Sequence, residues 1–180
     1  SRFVWERKYH NWSKLQTNIV SPSKWLGTCA RNSSLFADKN IQIIPNPIDC
    51  SVFFPIDKVR AKETLNLSKH KRYILYGSLN ATTDKNKGLE LLLDALRVLE
   101  LPNQNLEILL LGNSTAKECY FPIPSKNIGK VEDDKVLNLL YSASDITVLP
   151  SLSENFPNIA LESIASGTPV VAFDTGGISD

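Results

Sequence analysis

The sequence predicts an α/β fold: an open, doubly wound parallel sheet of Rossmann-like type. Two observations lead there. Short apolar runs of strand length recur along the chain, each closed by Gly, Pro or Ser. Between them lie longer segments with helical periodicity, so strand and helix alternate throughout. Strands apolar on both faces and joined by helices make a parallel sheet with right-handed crossovers. Such sheets bind ligands beyond the carboxyl ends of their strands.

The elements follow in order. Residues 1–16 carry Trp5, Tyr9 and Trp12 at about helical spacing among Arg2, Arg7, Lys8 and Lys14. They read as an N-terminal amphipathic helix or linker, packed on the domain or on a part of the protein outside this sequence. Residues 17–180 form the expected Rossmann-like domain. Asn18–Ser21 is a weak first strand. Ile41–Ile44, Tyr73–Tyr76, Leu106–Leu111, Ile146–Leu149 and Val170–Phe173 read as buried strands. Helices are expected at Ser23–Phe36, Asp57–Leu65, Lys87–Leu99, Asp133–Ala143 and Pro157–Ala165. The last begins with Pro, whose missing N–H is harmless in a first turn, and stops before Gly167. Asn80–Asn86 and Asn113–Lys126 read as polar loops, with a strand around Ile128.

Composition bounds the function. The chain has 180 residues, 42% hydrophobic, with 20 Lys plus Arg against 19 Asp plus Glu. The net charge of +1 argues against a nucleic-acid binder. No apolar run approaches the ~18 residues of a membrane span. The first residues do not read as a signal peptide. There is no Met, so the sequence is expected to be a piece of a longer protein. The 3 cysteines, Cys29, Cys50 and Cys119, have no CxxC spacing. They are expected to be ordinary buried or half-buried thiols of a cytoplasmic protein.

Several motifs are absent. Neither G-x-G-x-x-G nor G-x-x-x-x-G-K-[ST] occurs, which argues against the dinucleotide and P-loop routes. His10 and His70 lack metal-like spacing. Glu132, Asp133 and Asp134 stand where a helix begins and read as favourable charge at its N-terminus.

The informative segment is Ser151–Glu162. It follows a strand and so lies at the ligand edge of the sheet. Glu154 sits in the loop, and Glu162 lies on the helix face shared with Asn158. The free N–H groups of the first turn suit an anion such as a diphosphate. Carboxylates accept hydrogen bonds from vicinal hydroxyls. The expected ligand is therefore anionic in its middle and hydroxyl-rich at both ends, which describes a nucleotide sugar. A second helix start, Lys87-Gly88, follows Gly77-Ser78 and its loop, and offers a cation for a departing phosphate.

Together these residues resemble the retaining glycosyltransferases of the two-Rossmann-domain GT-B architecture, group 1 (family 4). The E-x7-E pair is Glu154 and Glu162. The flanking segments Pro22–Leu26, Ile44–Asp49, Lys87-Gly88, Ala165–Ala172 and Gly176–Ile178 fit in the same order. The resemblance runs from about Val20 to Asp180 and implies the C-terminal, donor-binding half of such an enzyme. It implies that Glu154 positions the donor sugar and Glu162 holds the ribose hydroxyls. Backbone groups of Asn155, Phe156, Asn158 and Ile159 would meet the sugar and diphosphate. Lys87, with Gly88, would bind the diphosphate near Gly77 and Ser78. Gly129 and Val131 would pack the base, with Lys135 nearby. Catalytic roles fall to Glu154 and Lys87.

This sequence has Ser78 and Asn86 where the family frequently has Arg, with Lys85 a candidate substitute, and Ser179 where Pro is frequent. No D-x-D metal motif appears, so a metal-independent reaction without a cofactor is expected. The partners expected are a nucleotide-sugar donor and a sugar, lipid-linked or small-molecule acceptor, not nucleic acid. The full-length protein is expected in the cytoplasm, with peripheral membrane association compatible with that. A non-catalytic nucleotide-sugar module and a sugar-nucleotide epimerase are the alternative functions.

Overall fold

The computed structural model describes residues 2–78, 84–99, 105–112 and 121–180. Asn80–Thr83 and Asn113–Tyr120 of the expected loops, with Cys119, lie outside the described residues. The chain divides into two units. One comprises Ser1–Pro47, Glu154–Phe156 and Gly176–Asp180; the other comprises Ile48–Ser153 and Pro157–Thr175.

The larger unit carries the predicted sheet. Strands β3 (Arg72–Gly77), β4 (Leu106–Leu111), β5 (Ser125–Gly129), β6 (Ile146–Leu149) and β7 (Val170–Ala172) form one five-stranded sheet in the order β5-β4-β3-β6-β7. Every pairing is parallel. The α/β, Rossmann-like expectation holds. With helices α3 (Lys58–Thr64), α4 (Leu89–Val98), α5 (Asp134–Ala143) and α6 (Asn158–Ala165), the order among the described residues is α3-β3-α4-β4-β5-α5-β6-α6-β7.

Alternate residues of β3 show why the strands read as continuous apolar runs. Ile74 and Tyr76 join Leu89, Leu92, Leu93 and Leu96 of α4 in one core. Tyr73 and Leu75 join Ala61 of α3 and Leu140 and Tyr141 of α5 in another. Each strand side chain alternates between the two faces, so both must be apolar. Burying a side chain such as Leu75 or Leu109, each fully buried, contributes about 1.5–3 kcal/mol.

The smaller unit holds α1 (Arg2–Trp12), β1 (Asn18–Ser21), α2 (Lys24–Arg31) and β2 (Asn40–Ile43). Thus α1 and β1 fall in one unit. Strands β1 and β2 pair in parallel as a separate two-stranded sheet. β2 is not a buried strand as expected: its residues alternate exposed and half-buried, because only one face is covered.

Other expectations need correction. Cys29 and Cys50 are exposed, not buried. Helix α1 forms, but none of its residues is buried and Phe3 is 71% exposed. It is tied to the segment after α2: Trp5 Nε1 donates to Ser34 Oγ at 3.1 Å, and Trp12 stacks on Phe36. Helix α2 stops at Arg31, and α4 starts at Leu89 after a 3₁₀ turn at Lys85–Lys87. Among the described residues no helix is long and apolar enough to cross a membrane.

Candidate functional site

Parallel pairing brings the carboxyl ends of β3, β4, β5, β6 and β7 to one edge. Chain order runs outward from β3 through β4 to β5, then returns to the other side of β3 for β6 and β7. The reversal lies between β3 and β6. Such a topological switch point leaves a crevice between diverging connections, where ligands of open α/β sheets bind. The residues at that point are Gly77-Ser78 at the end of β3 and Pro150-Ser151 after β6.

Backbone contacts fix this corner. Gly88 has φ +65° and immediately precedes α4. A Cβ there would collide with the carbonyl oxygen of Pro150. Gly88 therefore serves the close approach of neighbouring backbone. The Tyr76 hydroxyl donates to the Lys87 carbonyl at 3.2 Å, and Leu152 N donates to the Asn86 carbonyl at 2.8 Å. Lys87 is half-buried; Lys85 is exposed.

The helix starts are not alike. Ser23, Asp57 and Asp133 cap α2, α3 and α5 with their side chains. Helices α4 and α6 have no side-chain cap. No side-chain cap occupies their first N–H groups, which suit an anion. Ser78 Oγ, also at the carboxyl end of β3, is buried without a hydrogen-bond partner among the described residues.

Helix α6 is set by contacts on its inner side. Ile159 packs over Gly77, in the place a Cβ there would take. Ser163 Oγ donates to the Thr168 carbonyl at 3.0 Å and is hydrogen-bonded to the Thr147 hydroxyl at 2.8 Å. Glu162 is half-buried, and its Oε2 accepts from the Tyr141 hydroxyl at 2.7 Å. Asn158 is exposed.

Residues 154–156 belong to the smaller unit, where a frame of backbone contacts holds them. Gly177 N donates to the Glu154 carbonyl at 3.1 Å. Gly176, at φ +62°, has no room for a Cβ against that same carbonyl. Ser23 Oγ donates to Asn155 Oδ1 at 2.7 Å while accepting from Leu26 N at 3.1 Å. Asn46 Nδ2 reaches the Phe156 carbonyl at 3.5 Å. Trp25 N donates to Asp180 Oδ2 at 2.7 Å. The flanking segments around Ser23, Asn46 and Gly176-Gly177 thus meet at the Glu154 loop.

The remaining predicted residues lie at the β5 end. Gly129 has φ +81°, open space where a Cβ would stand, and a carbonyl that accepts from Gly112 N at 2.8 Å. Val131 packs against the α5 core. Lys135 instead lines a cavity of about 410 Å³ with Ser51, Phe54, Ile56, Asn138 and Leu139.

Sequence reading missed Tyr141. Nothing local marks its partner on α6. The Ser23–Asn155 bond spans 132 positions. Only the shared family motifs signal it.

The switch point and the five-stranded parallel sheet define a Rossmann-like type of fold. The chain matches the model of the family "Glycosyl transferases group 1" over residues 70–180, more than half its length. It belongs to that family. A D-inositol 3-phosphate glycosyltransferase of Arthrobacter sp. (strain FB24) is 31% identical over 153 residues, which is 78% of this chain and 35% of that protein. The lipopolysaccharide core biosynthesis mannosyltransferase LpsB of Rhizobium meliloti is 27% identical across 97% of this chain and 51% of its own length. The chain spans about a third of the length of the first of these relatives.

Solved structures share the fold. Sucrose-phosphate synthase from Thermosynechococcus elongatus superposes with a TM-score of 0.78 at 24% identity, covering 97% of this chain and 45% of that one. Anabaena HepE in complex with UDP-glucose gives 0.77 at 18% identity, covering 99% and 50%. The fold is that of the C-terminal half of a GT-B glycosyltransferase.

Proposed function

We propose that this chain is the donor-binding part of a glycosyltransferase. The enzyme moves a sugar from a nucleoside-diphosphate sugar to an acceptor hydroxyl, with retention at the anomeric carbon. One observation carries the reading: α4 and α6, which have no side-chain cap, both follow strands that flank the switch point. Membership of a glycosyltransferase family supports it.

Each residue has a role in that scheme. The first N–H groups of α4 and α6 receive the diphosphate, together with Lys87. As the glycosidic bond breaks, negative charge grows on the departing nucleotide, and these donors stabilise it without reorganising. Glu162 accepts from the ribose hydroxyls. Glu154 accepts from hydroxyls of the transferred sugar and orients its anomeric carbon. Asn155, Phe156, Asn158 and Ile159 line the donor; Gly77, Ser78 and Gly88 keep backbone close to it. Gly129 and Val131 face the base. Helix starts and Lys87 handle the phosphate charge, so the scheme asks for no metal. HepE in complex with UDP-glucose makes UDP-sugars the first donors to try.

A thermal-shift panel of UDP-, GDP-, ADP- and CDP-sugars on the full-length protein tests this. A donor at a hundred times its Kd stabilises the native state by about 2.7 kcal/mol. One base is expected to raise the melting temperature. No shift with any of them contradicts the reading.

A further inference from the structure

Glu162 is held by more than its own helix. Its Oε2 accepts from the Tyr141 hydroxyl at 2.7 Å, and among the described residues no hydrogen bond reaches Oε1. Tyr141 is 1% exposed. Its ring packs tilted against Phe53, with centroids 6.3 Å apart. Its carbonyl accepts from Thr168 Oγ1 at 2.7 Å. On the other helix, the Glu162 carbonyl accepts from Ser166 N at 3.0 Å and Ser166 Oγ at 2.7 Å. Both ends of the hydrogen bond are thus anchored to different elements.

A tie between α5 and α6 alone needs no charge. A carboxylate serves such a tie poorly, since half-burying it costs solvation. The same carboxylate is well suited to leave one oxygen fixed and outward for a second donor. Burial first, and the neighbouring Glu162 charge second, push the Tyr141 phenol far above its ordinary range. The hydroxyl therefore remains a donor throughout the physiological range.

We propose that Tyr141 is a positioning residue for nucleoside recognition: its hydroxyl orients the Glu162 carboxylate so that Oε1 meets the cis-diol of a ribose. The role rests on the ribose-binding reading of Glu162. A free glutamate loses its rotamer freedom when a ligand binds; this one loses it when the chain folds. Tyr141 touches no substrate and acts through Glu162.

The test uses the full-length protein and two ligand pairs, UDP with 2′,3′-dideoxy-UDP and GDP with 2′,3′-dideoxy-GDP, measured by calorimetry. The wild type is expected to prefer the ribose form of its nucleotide by about tenfold or more. Tyr141→Phe keeps the ring and removes only the hydroxyl. It is expected to cut that preference by about three- to tenfold while leaving dideoxy affinity within about twofold. In a Glu162→Ala background the same change should add nothing, as for residues acting through one group. Glu162→Asp, too short to reach Tyr141, should reproduce the loss if the phenylalanine variant folds badly.

A wild-type protein indifferent to the diol, or binding none of the four ligands, overturns both the ribose reading and this role. A preference that Tyr141→Phe and Glu162→Asp both preserve overturns the role of Tyr141 alone. So does an equal loss for both members of a pair.

Discussion

The carbonyl oxygen of Glu154 occupies the space in which a Cβ on Gly176 would stand. Gly176 sits at φ +62°, where L-residues are strained even in open space. Glycine is required twice over, and the backbone of the Glu154 loop is seated by it. Gly176→Ala is expected to displace that loop. Stability should fall by about 2–4 kcal/mol from strain and overlap together. Transfer by the full-length enzyme should fall by more than tenfold at temperatures where it remains folded. Activity and melting curves of the same preparation check this.

Three glycines at the sheet edge differ in what surrounds them. Gly88 combines φ +65° with the unyielding Pro150 carbonyl. Its change to Ala should cost about 2–5 kcal/mol. A Cβ on Gly77 would overlap the end of the Ile159 side chain, with Leu111 at ordinary contact distance, so Gly77→Ala should cost about 1–3 kcal/mol and disturb the start of α6. Gly129, at φ +81° in open space, should lose only about 1–2 kcal/mol. Denaturant midpoints rank the three; a Gly129 variant less stable than a Gly88 variant contradicts the packing account.

Asp145 fastens the opposite end of β3. Its Oδ2 accepts from Tyr73 N at 2.8 Å and its Oδ1 from Lys58 Nζ at 2.9 Å. Burial pushes its carboxyl up, but the Lys58 hydrogen bond, the Tyr73 amide and the Lys58 and Lys62 charges outweigh this and leave it below 3.8. The native state therefore binds this proton less readily than the unfolded chain. The resulting stability is fully present above about pH 4 and is lost as pH falls through the lowered native value. Asp145→Asn should lower stability at pH 7 by about 1–2 kcal/mol and make the acid limb of the stability curve shallower. An acid limb unchanged by the substitution contradicts the assignment.

Much of this was legible in the sequence. The runs around Ile74, Leu109 and Val148 announce strands because both faces of the sheet are covered. Strand β5, Ser-Lys-Asn-Ile-Gly, was marked only by Ile128 because it is an edge strand with Ser125, Lys126 and Asn127 exposed. The separation of β1 and β2 from the main sheet was not legible, since pairing partners leave no local trace. For the site, the motif residues Ser23, Asn46 and Gly176-Gly177 could be noted but not explained. Their purpose, the seating of Glu154, Asn155 and Phe156, depends on contacts far apart in sequence. Tyr141 looked like an ordinary helix residue because its partner is on α6.

The role given to Glu154 is tested most directly by Glu154→Ala in the full-length protein. The change removes the carboxylate and leaves the carbonyl that Gly176 and Gly177 seat. Turnover should drop by about a hundredfold or more, as for a group that positions the reacting sugar. Affinity for the nucleoside diphosphate alone should stay within about threefold, because Lys87, Glu162 and the helix starts remain. Turnover within a few-fold of the wild type would contradict the donor-sugar role.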